Sequence, residues 1–265
     1  MRTIPKSKNG KLEDFIESAI GPFPAPPHDK KEWQNLYDHC LMEAARACVF
    51  AEMLHFNKGL KKDLVLAALF HDGNKRLEIA AIREAMQSGA SSRAASNAAT
   101  REYLRALKRK GMSRRIIRFV GLVGGAPDVL YTVKKILGKI SLSAEDLAAL
   151  AMHYIDDYTV GGEWASPATR PLRGALVNDV DRRMEKNKNN PNYKKIEAED
   201  LKELLALRVF PRMSSFASSF EAMAVVSHEI EKRLLSRVKA WEGINPLRIP
   251  EIVDKKIREW LAAAA

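Results

Sequence analysis

The sequence predicts an all-α protein, and three observations carry the prediction. Apolar residues recur at three- and four-residue spacings through most of the 265-residue chain. No stretch alternates apolar and polar residues for long enough to make a strand. Breaks rich in glycine and proline separate the periodic stretches. With 46% of its residues apolar, the chain can bury a sizeable core.

Taken in order, residues 1–30 begin as a polar tail and pass through an amphipathic turn (Leu12, Phe15, Ile16, Ile20). They end in GPFPAPPHDK, where the density of proline stops any helix and argues for an extended segment. Trp33 to His55 is a long helical pattern, marked by Leu36, Leu41, Ala45, Cys48 and Glu52. Asp63 is a plausible N-cap for the short apolar helix that runs from Leu64 into His71 and Asp72, with Gly73 offering a permissive backbone at its end. Residues 76–87 read as helix, and SGASSRAASNAAT is a small-residue stretch of low complexity. The strongly basic segment 101–120 reads as two helices broken near Gly111.

GLVGGAPD, 121–128, matches neither phosphate-cradling glycine motif and is a connector. Ser143 opens a helix that reaches about Tyr158, with Asp146 at the capping-box position. After the loop GGEWASPATRP, helices are expected near 172–185, 198–208, 216–240 and 250–262, with Pro250 in the first turn of the last one. The organisation expected is an N-terminal extension (1–32), a helical core (33–185) and C-terminal helices packed on it (186–265).

Composition narrows the function classes. No window approaches the ~18 uncharged apolar residues of a membrane span. The basic N-terminus carries no apolar stretch of the secretory kind. Cys40 and Cys48, eight apart on one helix, stand about 12 Å from one another, too far for a disulfide; two reduced core thiols fit a cytoplasmic protein. The net charge of +11 favours anionic partners such as phosphorylated metabolites, nucleotides or nucleic acid, though a basic and merely solvated surface explains it as well.

Six histidines are available for chemistry: His28, His39, His55, His71, His153 and His228. An apolar helix that ends in His71 and Asp72 buries two titratable groups, which is costly unless something satisfies them, and a divalent metal is one such partner. The plain alternative is an imidazole at the negative end of a helix beside a solvated Asp72. His28-Asp29 follows two prolines in a loop and is set aside as a decoy. His39 lies on the first long helix, while His153, Asp156 and Asp157 share a face of a later one. Separate helices thus carry imidazoles and carboxylates toward the middle of a bundle, where helical proteins build metal sites. His55, about 160° round the helix from His39, points elsewhere, and His228 reads as structural.

The strings YDHCLMEAARACVFAEML, LVLAALFHDGNK and AALAMHYIDDYTV, in that order, resemble the HD-domain superfamily of metal-dependent phosphohydrolases over about residues 33–185. The resemblance implies an HD-like helical bundle with additional C-terminal helices, and makes His39, His71, Asp72 and Asp156 the metal ligands, with Asp157 as the alternative to Asp156. Many members read HDIGK where this chain reads HDGNK; Lys75 keeps the fifth position and could reach a substrate phosphate as a point charge.

By the same resemblance, hydrolysis at phosphorus would use a water activated by one divalent ion per chain (manganese, cobalt, nickel, iron or zinc, by the mixed nitrogen and oxygen donors). Asp72 would take the proton. Lys75 and arginines of the basic segment would offset charge on the leaving group. Glu43 is placed to orient His39, but reads more readily as an ordinary exposed helix residue. His153 could be a ligand, a phosphate donor or a core histidine.

The substrate expected is a nucleotide or another small phosphate ester, with no membrane partner. The competing function is a basic regulatory or nucleic-acid-binding module on the same scaffold, carried by Lys108, Arg109, Lys110, Arg114, Arg115 and Arg118, unless these are simply a solvated helix face. A purely structural helical protein, its histidines hydrogen-bonded in the core, would take up no metal at all.

Overall fold

The computed structural model describes residues 9–28, 31, 33–124, 126–159, 162, 164, 202, 219–236 and 249–264. Among these residues the protein is all-helical: α1 (Asn9–Ile20), α2 (Gln34–Met53), α3 (Lys58–Phe70), α4 (Lys75–Ser88), α5 (Ser92–Arg109), α6 (Arg114–Val120), α7 (Pro127–Leu137), α8 (Ala144–Tyr158), α9 (Ser219–Leu235) and α10 (Ile249–Ala263). No described helix is long and apolar enough to cross a membrane. The helices expected near 172–185 and 198–208 lie outside the described residues.

The bundle is arranged around α2. Every side chain from Cys40 to Ala51 is buried, so this helix has no solvent face and neighbours must cover it all round. They are α3 and α8, which also pack on one another, together with α1 and α10. Alanines fully shut off from solvent on α2 (Ala44, Ala45, Ala47), α3 (Ala67, Ala68) and α8 (Ala148, Ala149, Ala151) let the three backbones approach closely. Between them Phe50, Leu64, Leu69 and Leu150 are also fully buried, each contributing roughly 1.5–3 kcal/mol of apolar transfer. Close approach matters for function, because α2, α3 and α8 are the helices that carry His39, His71-Asp72 and Asp156.

Several boundaries follow local chemistry that the hydrophobic period does not report. Asn57 caps α3, accepting from Leu60 N, so the cap lies six residues before Asp63. Asp63 lies inside the helix, where it accepts from Arg115 Nε at 2.5 Å and from the Ser113 hydroxyl at 3.2 Å. The small-residue stretch is helical, entering α5 behind a Ser91 cap. Alanine has the best helix propensity of all, which outweighs the absence of an apolar stripe there. α7 begins inside the 121–128 stretch read as a connector, at Pro127, and buries Leu130, Val133 and Ile136 at helical spacing.

Other expectations hold. Gly111 separates α5 from α6 with φ +77°, a conformation that favours glycine. The Ser143–Asp146 capping box forms as the spacing predicts, and Pro250 sits in the first turn of α10. Of the described later helices, α9 packs against α8 and α7, and α10 against α2 and α1. Phe15 meets Trp260 edge-on at 5.2 Å where α1 touches α10.

Candidate metal centre

Three helices deliver polar side chains to one interior point. On α2, His39 and Glu43 are one turn apart on the same face. At the end of α3, His71 and Asp72 follow Phe70 directly, and Asp156 comes from the last turn of α8. His71 Nε2 lies 3.4 Å from Asp156 Oδ1 and 3.7 Å from Asp72 Oδ2. His39 Nε2 lies 3.8 Å from the same Asp72 oxygen and 3.9 Å from the same Asp156 oxygen. The two rings stand 5.1 Å apart, tilted by 60°. Ligand bonds of about 2.1 Å in a tetrahedral arrangement would place donor atoms roughly 3.4 Å apart. The observed 3.4–3.9 Å is that spacing slightly opened.

The remaining contacts fix which atoms face the centre. His71 Nδ1 has two acceptors, the Ala68 carbonyl at 2.8 Å and Glu43 Oε2 at 3.1 Å, so the ring hydrogen belongs there and the Nε2 lone pair points inward. Glu43 Oε1 stands 3.0 Å from His39 Nε2. Glu43 therefore bridges both imidazoles from beneath. It is not the exposed helix residue that its spacing favoured: its side chain is wholly buried. A carboxylate is tolerated there only because two imidazoles meet it. Donor atoms of His39, Glu43, His71 and Asp156 lie within 4.8 Å of one another, a group that could hold a metal ion.

Donors are scarce around these acceptors. His71 Nε2 and both Glu43 oxygens are buried without an aligned hydrogen bond. Three carboxylates (Glu43, Asp72, Asp156) face a single ammonium, Lys75, whose Nζ is 3.6 Å from Asp72 Oδ1 and 3.5 Å from Glu78 Oε2. With neutral imidazoles, and with Glu78 drawing on the same ammonium, the cluster is left net negative, which a divalent cation would offset.

Protonation follows the same imbalance. Burial opposes charge on His71, but Glu43, Asp72 and Asp156 outweigh it and lift its pKa to about 10. Burial likewise opposes charge on His39, and Glu43 and Asp156 push its pKa up nonetheless. Burial raises Glu43, with the imidazoles pulling against it. Burial also works against ionised Asp156, yet His71, His39 and Lys75 hold its carboxyl well below the usual range. Access is graded: His71 and Glu43 form a closed floor, whereas Asp72 and Asp156 reach about one-fifth exposure and Lys75 is 40% exposed at the mouth.

Over that mouth runs the proline-rich strap. Gly73 does not adopt the left-handed backbone expected of a helix-ending glycine. Its reason is proximity: a Cβ there would fall inside the Tyr103 phenol and 2.8 Å from Pro27 Cγ. Tyr103 donates to the Phe70 carbonyl at 2.7 Å and so clamps the turn. The HDGN order thus admits a strap on one side and a phenol on the other. His28, set aside as a decoy, is buried next to Asp72, whose carboxylate and carbonyl, along with His71 and His39, all act on its imidazole.

Other expected residues lie apart. His153 is fully buried with Nδ1 2.6 Å from the Leu122 carbonyl, and its Nε2 faces Asp157 Oδ2 at 3.5 Å. The structure places His153 in the core, its Nε2 buried without an aligned hydrogen bond and Asp157 beside it, while Asp156 faces the centre. The basic segment does not serve the centre either. Arg115 pairs with Asp63, and Arg118 with Asp146. Those carboxylates lie eight and ten residues before His71 and Asp156, roughly 12–15 Å back along α3 and α8. Arg109 pairs with Glu102. Arginines 115 and 118 tie helices together at the far end of the bundle and cannot offset charge on a leaving group at Asp72.

The chain matches no family model, no curated protein and no solved structure. The resemblance to the HD superfamily rests on the residues and their arrangement alone.

Proposed function

We propose that the chain is a divalent-metal-dependent phosphohydrolase of the HD type, acting on a nucleotide or another small phosphate ester. One observation carries the reading: two imidazole nitrogens and two carboxylate oxygens from three separate helices converge at 3.4–3.9 Å. A bound divalent cation supplies an acidified water and polarises a phosphoryl oxygen. The mixed nitrogen and oxygen donors suit manganese, cobalt, nickel, iron or zinc.

The chain's own residues do the rest. His71, its Nδ1–H held by Ala68 and Glu43, offers a fixed Nε2 lone pair. Glu43 steadies the His71 ring through Nδ1–H, and at His39 it faces Nε2, the nitrogen that would meet the cation. Asp72 Oδ2 faces the imidazoles, and its carboxylate is the group placed to accept a proton from water at the mouth. Lys75, at Asp72 Oδ1, occupies the position from which a second cation would draw its ligand, which favours one ion per chain. The half-exposed ammonium can turn toward a phosphoryl oxygen. Two buried free thiols, Cys40 and Cys48, suit a reducing, cytoplasmic setting.

The experiment is metal content and turnover on a nucleotide panel. Phosphate release that depends on added metal, and that is lost in His71→Ala and Asp72→Ala, is the expected result. Undiminished release in those variants overturns the reading.

A further inference from the structure

His28 is a buried polar group of this region that, among the described residues, neither the ligand set nor its supports employ. It ends the segment GPFPAPPH, in which Phe23 packs against the core, Pro26 is buried and Pro27 rests on Gly73. Three prolines within five residues leave this strap few conformations, so the position of His28 is set in advance of binding. The side chain is 9% exposed, and its Nε2 is buried without a hydrogen-bond partner. The groups that act on the ring are Asp72, His71 and His39, the rim and two nitrogens of the centre. An orphaned imidazole nitrogen in such a place costs free energy unless a ligand meets it.

Two ligands could do so, the cation itself or what the cation holds. The first is disfavoured by the chain's own arrangement: Asp72 Oδ2 faces the inner imidazoles and Oδ1 faces Lys75, so neither oxygen of the carboxylate beside His28 is left to share a further cation with it. A phosphoryl group on the centre, by contrast, brings several non-bridging oxygens to the mouth. Lys75 can meet one of them, and a neutral imidazole can donate through Nε2–H to another. We propose that His28 is a substrate-binding residue, donating a hydrogen bond from Nε2 to a non-bridging oxygen of a terminal phosphoryl group at this centre. The inference rests on the metal-centre reading and narrows its substrate class to phosphomonoesters. Only a terminal phosphoryl group has enough free oxygens for the centre, Lys75 and His28 together.

The test uses the full chain loaded with manganese, and orthophosphate is the probe. Its affinity is read by titration calorimetry, and manganese content by elemental analysis of the same samples. His28→Ala is expected to weaken orthophosphate binding about tenfold to a hundredfold, the loss of one hydrogen bond to a charged group. KM for a phosphomonoester should rise by a similar factor, with manganese content at the wild-type level. His28→Phe fills the same space without a donor and carries the same expectation should the smaller side chain loosen the strap. His28→Gln keeps an N–H and should recover much of the affinity.

Orthophosphate affinity that is unchanged in both His28→Ala and His28→Phe overturns the inference. So does loss of manganese in those variants, since His28 would then be holding the cation. Wild-type protein that takes up no manganese overturns the metal centre and this inference together. That result is distinct from wild-type manganese content with unaltered orthophosphate affinity, which overturns the inference alone.

Discussion

Two buried polar clusters sit a single turn apart on α2, and they are built on opposite plans. At Arg46 the buried charge is met within the chain. The guanidinium donates to both oxygens of Asp254 at 2.8 and 2.7 Å and to the Thr159 hydroxyl at 2.7 Å, and it lies 4.7 Å from the centre of the Tyr158 ring. The planar fork of arginine matches the carboxylate, so both charges can be fully buried. At His71 and Glu43 the composition is reversed: acceptors face inward, and His71 Nε2 and both Glu43 oxygens are buried without an aligned hydrogen bond. The fold satisfies a buried charge completely when its task is to join α10 to α2. It leaves an imbalance where it holds a place for something else.

That contrast can be broken at either cluster. The largest effect is expected at the closed one. Arg46→Met strands Asp254 in the core and should cost about 3–5 kcal/mol, read as a lower denaturation midpoint. The paired variant Arg46→Met with Asp254→Leu, which removes both charges, should recover most of that. A single variant no less stable than wild type would mean that the ion pair joins nothing.

The open cluster should respond to metal instead. Manganese at a hundred times its Kd should stabilise the wild type by about 2.7 kcal/mol and raise Tm accordingly. Asp156→Asn should abolish the rise and Asp157→Asn should keep it, because Asp157 faces His153 and not the centre. The reverse pattern would exchange the roles of the two aspartates.

The smallest effect concerns a satisfied carboxylate at the far end of α8. Burial disfavours ionised Asp146, but Lys139, Arg118 and Ser143 hold its pKa below the ordinary value. A depressed carboxylate stabilises the fold above its unfolded pKa of about 3.9, and the contribution drains away as pH falls further. Wild type should therefore lose more stability than Asp146→Asn between about pH 5 and pH 2 in acid-denaturation curves. Parallel curves would remove Asp146 from the account.

What the sequence disclosed follows the same division. His39, His71 and Asp72 stand out in the sequence as polar residues on or directly after strongly apolar helices, whereas joining them with Asp156 in preference to Asp157 depends on the resemblance to the HD superfamily. The burial of Glu43 was legible in principle, since LMEAARACVF is apolar on nearly every face and such a helix has no exposed side. Helical spacing from His39 drew attention to a surface pair instead. His28 was not legible: the strap has no period, and its contact with the centre depends on Gly73 leaving room for Pro27. The arginines of the basic segment misled for a related reason. Charge in a sequence carries no direction, and Asp63 and Asp146, which direct Arg115 and Arg118, are distant in the chain.

The central claim is that the open cluster is a cation site. Titration of the metal-free chain with cobalt(II), followed by visible absorption and by elemental analysis, tests it directly. The account predicts saturation at one ion per chain and loss of the signal in a His39→Ala, His71→Ala double variant. It also predicts binding that weakens as pH falls from about 10, because the proton that lifts His71 must leave before a cation can enter. Failure to saturate, or equal binding by the double variant, would contradict it.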